Sequence, residues 1–262
     1  MRVLLLGNSN DTGNWIASGP QRHEIVRDLL AEATGEPVEV TPRGVWPTDG
    51  ITRAVEGWIE KSNPDVIYLT MASFWFNYPS VPLRARRVLR RLGPSVSDAG
   101  FRAAGSPRWG HNFAFRALRG ALQRTVGGDT HFTPEEVVAR ITEVITMALR
   151  HEGVVLAIQG ADGRTRYSHS RRSDRRQEAR RQFVHRQMKD FCERHHVTYE
   201  NSEIPLWKLD AELRKNRVGD GLHANEAWHQ HSAQLIFNTI AHALADAGQP
   251  LSGRPEVEAH AI

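Results

Sequence analysis

Cysteine is nearly absent. Cys192 stands alone among 262 residues, so no internal disulfide can form, and this usage fits a reducing cytoplasm. Long hydrophobic runs are missing too. No stretch approaches the roughly 18 apolar residues of a spanning helix, which predicts no membrane span. Arg2 ahead of Val3 to Leu6 has the outline of a secretory leader, but the stretch is too short. Gly7-Asn8-Ser9 is also not a small-x-small cleavage site. No Gly/Ser-rich or Pro-rich linker divides the chain, and no repeat or low-complexity tract breaks it. The expectation is a single domain over 1–248, followed by a loose tail at 249–262. A large excess of charge of one sign is lacking as well. The net charge is +4, from 34 Lys and Arg against 30 Asp and Glu, and no nucleic-acid-binding motif is present. Nucleic acid is therefore not an expected partner.

What remains is an apolar fraction of 40%, enough for a full core, in an order that repeats strand and helix. Residues 2–7 form a short continuous apolar run, the pattern of a buried parallel strand. A helix is predicted near 21–34, with Ile25, Val26, Leu29, Leu30 and Ala33 on one face, stopped by Gly35 and Pro37. Val38 to Val40 reads as a short second strand and 50–62 as a helix broken by Asn63-Pro64. Asp65 to Met71 reads as the third strand. From 72 to 133 the pattern loosens around helical stretches near 82–92 and 112–126, which marks a cap insertion over the carboxyl edge of a sheet. Thr133-Pro134-Glu135-Glu136 is a helix start, with Thr as cap, Pro in the first turn and acids beside it. Gly153 to Ile158 gives a fourth strand, and Val197 to Glu200 a fifth. Between them a long helix ends near His195, with Val184, Met188, Phe191 and His195 as its inner stripe. A last helix covers 225–247. Five strands with helices between them predict an α/β fold: a three-layer α/β/α sandwich on a five-stranded parallel sheet, with a helical insertion after the third strand.

Two blocks carry chemistry. Gly7-Asn8-Ser9 ends the first strand, at the sheet edge where ligand sites of open α/β folds lie. Asp220-Gly-Leu-His223 stands just ahead of the last helix. A serine is a poor nucleophile until a neighbouring base takes its proton, and Asp220 and His223 supply a base and its orienting carboxylate within one turn. Taken singly, Ser9 also suits a turn serine, and Asp220 and His223 a helix-entry loop. His229 and His231 invite a zinc set with His223. Residues two apart on a helix diverge, however, and no acidic or cysteine ligand completes the set, so no metal is expected. Nothing in the chain calls for a cofactor. The loop Gly7 to Gly13 lacks both Gly-x-Gly-x-x-Gly and a Gly-Lys-Ser/Thr ending, which ranks a nucleotide site last.

The ordered pair of blocks resembles the SGNH/GDSL hydrolases. Gly219-Asp-Gly-Leu-His-Ala-Asn225 matches their last block well, whereas Asn8 stands where their first block has Asp. The resemblance spans 7 to 223 and implies a flavodoxin-like strand order and an ester hydrolase working through an acyl-serine intermediate. It implies Ser9, Asp220 and His223 as the triad. It also implies an oxyanion hole from the Ser9 N–H, a glycine after the second strand and an asparagine after the third. Gly44 fits the glycine, and serves equally as an ordinary turn glycine. The third block departs: Ala72-Ser73-Phe74-Trp75 falls where Gly-x-Asn-Asp belongs, and the asparagine in reach is Asn77. Asn8, beside the nucleophile, is expected to bind substrate, and Phe74, Trp75 and Phe76 either wall an acyl pocket or fill core. The expected substrate is a small-molecule ester of short or medium acyl chain. Arginines concentrate at 84–91 and 164–186, either as solvated helix faces or, near the cleft mouth through Arg164 and Arg166, as partners for an anionic substrate. An acyltransferase would use the same triad. Asn8 and the broken third block also admit a binding module that has lost turnover. The sequence leaves the oligomeric state open.

Overall fold

Neighbouring residues of a strand point to opposite sides of their sheet. In the first strand Val3 and Leu5 are buried on one side and Leu4 and Leu6 on the other, so this strand needs cover on both faces. The computed structural model describes residues 1–12, 19–88, 112–125, 128–160, 171–201 and 225–253. In chain order its elements are β1 (Arg2–Gly7), α1 (Ser9–Thr12), α2 (Arg22–Thr34), β2 (Glu39–Gly44), α3 (Ile51–Ser62), β3 (Val66–Thr70) and α4 (Phe74–Asn77). Then follow α5 (Val81–Val88), α6 (Phe113–Thr125), α7 (Pro134–Ala148), β4 (Val155–Gln159), α8 (Arg171–Arg194), β5 (Thr198–Glu200) and α9 (Glu226–Asp246).

The strands form one parallel sheet in the order β2-β1-β3-β4-β5. Helices α2 and α9 cover the face that carries Val3, Leu5, Val66, Tyr68, Val155 and Ala157. Helices α3, α7 and α8 cover the other, packing on Leu4, Leu6, Ile67, Leu69, Leu156 and Ile158. This is the expected three-layer sandwich with flavodoxin-like order. From β1 the chain first moves out to β2 and then returns to β3 on the opposite side. The gap beyond the carboxyl ends of β1 and β3 is therefore the point where strand order reverses, the place such sheets open a crevice.

Several boundaries move for local reasons. β2 runs to Gly44 rather than stopping at Val40. As an edge strand it is only half-buried, so Thr41 and Arg43 hide the apolar signal, and an edge position tolerates Pro42. Helix α3 ends as expected, with Asn63 in the left-handed region at φ 42° ahead of Pro64. The inner stripe of α8 is Val184, Met188 and Cys192, one residue every four; Phe191 is half-buried and His195 is exposed. The expectation that the arginines of this stretch face solvent fails at Arg181, which is buried and forms an ion pair with Glu178. Arg180 donates to the Phe76 carbonyl at 3.1 Å. At the chain's far end, Leu251 packs on the α2–α9 core and the Gly253 N–H donates to Ala33 O at 2.9 Å, so residues 249–253 are held rather than loose. Residues 254–262 lie outside the described residues. Among the described residues no helix is long and apolar enough to cross a membrane.

Candidate active site

The turn at the end of β1 is built by its own polar side chains. Asn8 Oδ1 accepts the N–H of Asn10 at 2.9 Å, an Asx turn that an aspartate would make equally well. The Asn8 carbonyl accepts the N–H of Asp11 at 2.9 Å, closing the short helix α1. Asp11 then folds back, and its Oδ2 accepts the Asn8 N–H at 2.8 Å. The carboxylate lies so close that a Cβ on Gly7 would stand 1.9 Å from Asp11 Oδ2, which is why this position takes glycine. Ser9 is the first residue of α1 and is exposed, at the apex of this braced turn and beside the strand-order reversal.

Asp11 is 1% exposed, and its charge needs a partner. Arg22, buried at the start of α2, supplies it: Nε donates to Asp11 Oδ1 at 2.6 Å, and a second guanidinium nitrogen pairs with the same oxygen. The backbone N–H of Arg22 in turn donates to Nδ1 of the fully buried His229 at 3.1 Å. Nδ1 is thus an acceptor, so the ring is neutral with its proton on Nε2. His229 lies in the first turn of α9, and Asn225 caps that helix as expected, its Oδ1 accepting the Trp228 N–H at 3.0 Å. Asn8, Asp11, Arg22 and His229 therefore tie the Ser9 turn to the beginning of α9. Asp220 and His223 lie outside the described residues. In sequence, His223 precedes the Asn225 cap by only two positions. Beneath the network the Tyr68 hydroxyl donates to Gln159 Oε1, and burial pushes its phenol far above the ordinary value, keeping it a neutral donor.

Gly44 comes to the turn from the other side. It pairs with Gly7 in register, the Val45 N–H donates to the Gly7 carbonyl at 2.8 Å, and a Cβ on Gly44 would touch Thr12 Oγ1 at 3.7 Å. Asn77 ends α4 beyond β3 and is 5% exposed. Its Nδ2 donates to the Gln177 carbonyl of α8 at 3.3 Å, while its Oδ1 is buried without a hydrogen-bond partner among the described residues. A primary amide has two N–H groups, so one donor is left over.

The three aromatics after β3 separate. Trp75 and Phe76 are buried within the α3–α7–α8 core. Phe74 is half-buried and joins a surface cluster, stacked on Tyr78 at 4.6 Å and on His131 at 5.5 Å, with the exposed Trp46 ring at 6.0 Å. Burial holds His131 below the ordinary imidazole value, so its ring favours the neutral form. Trp46 and His131 were not apparent as site neighbours in the sequence. Trp46 follows Gly44 by two residues, and His131 lies far along the chain from its ring partners Phe74 and Trp46. Arg164 and Arg166 lie outside the described residues.

No protein-family model matches this sequence, nor does any curated protein. Solved structures do match. The psychrotrophic esterase EstA from a Pseudoalteromonas species aligns at 10% identity and TM-score 0.50 over 94% of this chain and 97% of its own. A protein described as a GDSL-like lipase from Parabacteroides merdae aligns at 11% identity and TM-score 0.50 over 95% of each chain. A gut microbial diltiazem-metabolizing enzyme aligns at 12% identity and TM-score 0.54, covering 91% of this chain and 46% of its own. At these identities the likeness shows the fold alone: a five-stranded parallel sheet in the order β2-β1-β3-β4-β5 with helices on both faces, the fold of the SGNH/GDSL esterases and lipases.

Proposed function

We propose that this protein is a serine ester hydrolase, with Ser9 as nucleophile, His223 as base and Asp220 orienting the imidazole. The observation that carries the reading is the braced Ser9 turn at the strand-order reversal, bound through Asp11, Arg22 and His229 to the helix that His223 precedes by three residues. In this reading Ser9 Oγ attacks the ester carbonyl carbon while its proton passes to His223. The oxyanion meets the N–H groups of Ser9 and Gly44 and the spare amide N–H of Asn77. Collapse expels the alcohol with the proton returned by His223. Water, deprotonated by the same ring, then attacks the acyl-serine and releases the acid. Phe74, with Trp46, Tyr78 and His131, offers an aromatic wall for a short or medium acyl group, and Asn8 acts on the turn rather than on substrate.

A fluorophosphonate probe is expected to label Ser9 alone. Ser9→Ala should abolish turnover of p-nitrophenyl acetate, with His223→Ala nearly as severe. Retained activity in Ser9→Ala places the nucleophile elsewhere. The bond from Asn77 to Gln177 favours one rival, a binding module with the fold but no turnover, because it takes one of the two amide N–H groups and holds the side chain toward α8. Absence of both labelling and turnover in the wild type decides for that rival. If the hydrolase reading holds, Asn77→Ala should lower kcat roughly a hundred-fold with little change in KM.

A further inference from the structure

Helix α6 carries an apolar face that is left in water. Phe113, Ala114, Ala117, Leu118, Ala121 and Leu122 recur at helical spacing along one side. All six are exposed, Phe113 at 83%, Leu118 at 57% and Leu122 at 36%. The comparable positions of α3, Ile51, Val55 and Ile59, are buried in the core. An apolar stripe on a helix ordinarily marks the side that meets something.

The charge of the same region indicates what it meets. Helix α5, which packs against α6, carries the half-buried Arg84 and the exposed Arg87, and neither helix has an acidic residue in its sequence. Asp129 faces Arg84 at 3.4 Å and Arg87 at 3.6 Å, one carboxylate shared between two guanidiniums. The Arg87 side chain remains 74% exposed.

We propose that the α5–α6 pair docks on an anionic lipid surface. The apolar side of α6 enters the headgroup–acyl boundary, and the exposed Arg87, with Arg84 beside it, meets lipid phosphates. A second copy of this chain is the poorer occupant. A two-fold contact would bring two acid-free, arginine-bearing helix pairs together, and like charges would oppose it. An uncharged apolar partner would leave the arginines unused.

Flotation with vesicles tests this on the full-length protein. Wild type is expected to float with vesicles containing phosphatidylglycerol and at least about ten-fold less with phosphatidylcholine alone, since each arginine near an anionic surface is worth about five-fold. The double variant Leu118→Asp/Leu122→Asp should lose the binding with an unchanged circular dichroism spectrum, because both residues are already exposed. Arg87→Glu should weaken binding to anionic vesicles without affecting the residual binding to neutral ones. Failure of the wild type to float, equal flotation on both vesicle types, or full binding by the double variant overturns the proposal. So does a wild-type dimer in light scattering that Leu118→Asp/Leu122→Asp converts to monomer, since the face would then be occupied by a second copy.

Discussion

His131 shows how a single ring can record its surroundings. It stacks on Phe74 and meets the Trp46 ring edge-on at 5.0 Å, and the resulting loss of water favours its neutral form. The sign of the consequence follows from linkage. Above the ordinary value of 6.5 the ring is neutral whether the chain is folded or not. As pH falls through that value the unfolded chain takes up a proton that the folded chain refuses, so stability is lost on the acid side. His131→Phe keeps a ring in the cluster and removes the titration. The drop in melting temperature between neutral pH and about 5.5 should therefore be smaller in this variant than in wild type. Equal drops would mean that the folded protein protonates His131 freely. Gly7 and Asn8 are constrained differently, by space and by an acceptor. The first must leave room for Asp11, and the second needs only an oxygen, which an asparagine supplies as well as an aspartate would.

At the level of elements, the buried pair of Asp11 and Arg22 joins pieces that no local pattern connects: the turn after β1, the start of α2 and, through His229, the start of α9. Removing one member of such a pair leaves an uncompensated buried charge and typically costs about 3–5 kcal/mol. Arg22→Met should lower the urea midpoint accordingly. Asp11→Asn/Arg22→Met should recover much of that loss, since asparagine keeps an acceptor for the Asn8 N–H without the charge. A double variant no better than the single would show that the guanidinium matters for more than neutralisation. This network was not legible in the sequence, because its members lie 11 and 207 residues apart and meet only through tertiary packing. The sheet was legible, since the runs at 2–7 and 66–70 and the capping signal Thr133-Pro134 with Glu136 act locally. The short helices α1 and α4 were not: four residues are too few to show a period. The core role of Trp75 and Phe76 was hidden for the same reason, and only the turn of α4 sends them inward while leaving Phe74 half-exposed.

Across the whole molecule the sheet separates two cores, and it matters whether they unfold together. The proposed nucleophile turn hangs from β1, whose residues feed both. Cys192 provides a reporter on one side: it is fully buried among α3, α7 and α8, and burial pushes its thiol up to about 12. It should resist alkylation at neutral pH until the chain opens. Leu5 lies across the sheet in the α2–α9 core, with no solvent exposure, and Leu5→Ala should cost about 2–5 kcal/mol. If the two layers form one cooperative unit, the substitution lowers the opening free energy sensed at Cys192 by that same amount. Labelling should then accelerate roughly thirty-fold or more in the regime where reclosing outpaces reaction. The expectation of one unit rests on covalent and packing continuity: Leu4 and Leu6 alternate with Val3 and Leu5 along a single strand, so β1 cannot leave one core and stay in the other. Unchanged labelling, alongside a urea midpoint that falls as expected, would mean that the α3–α7–α8 layer opens locally on its own.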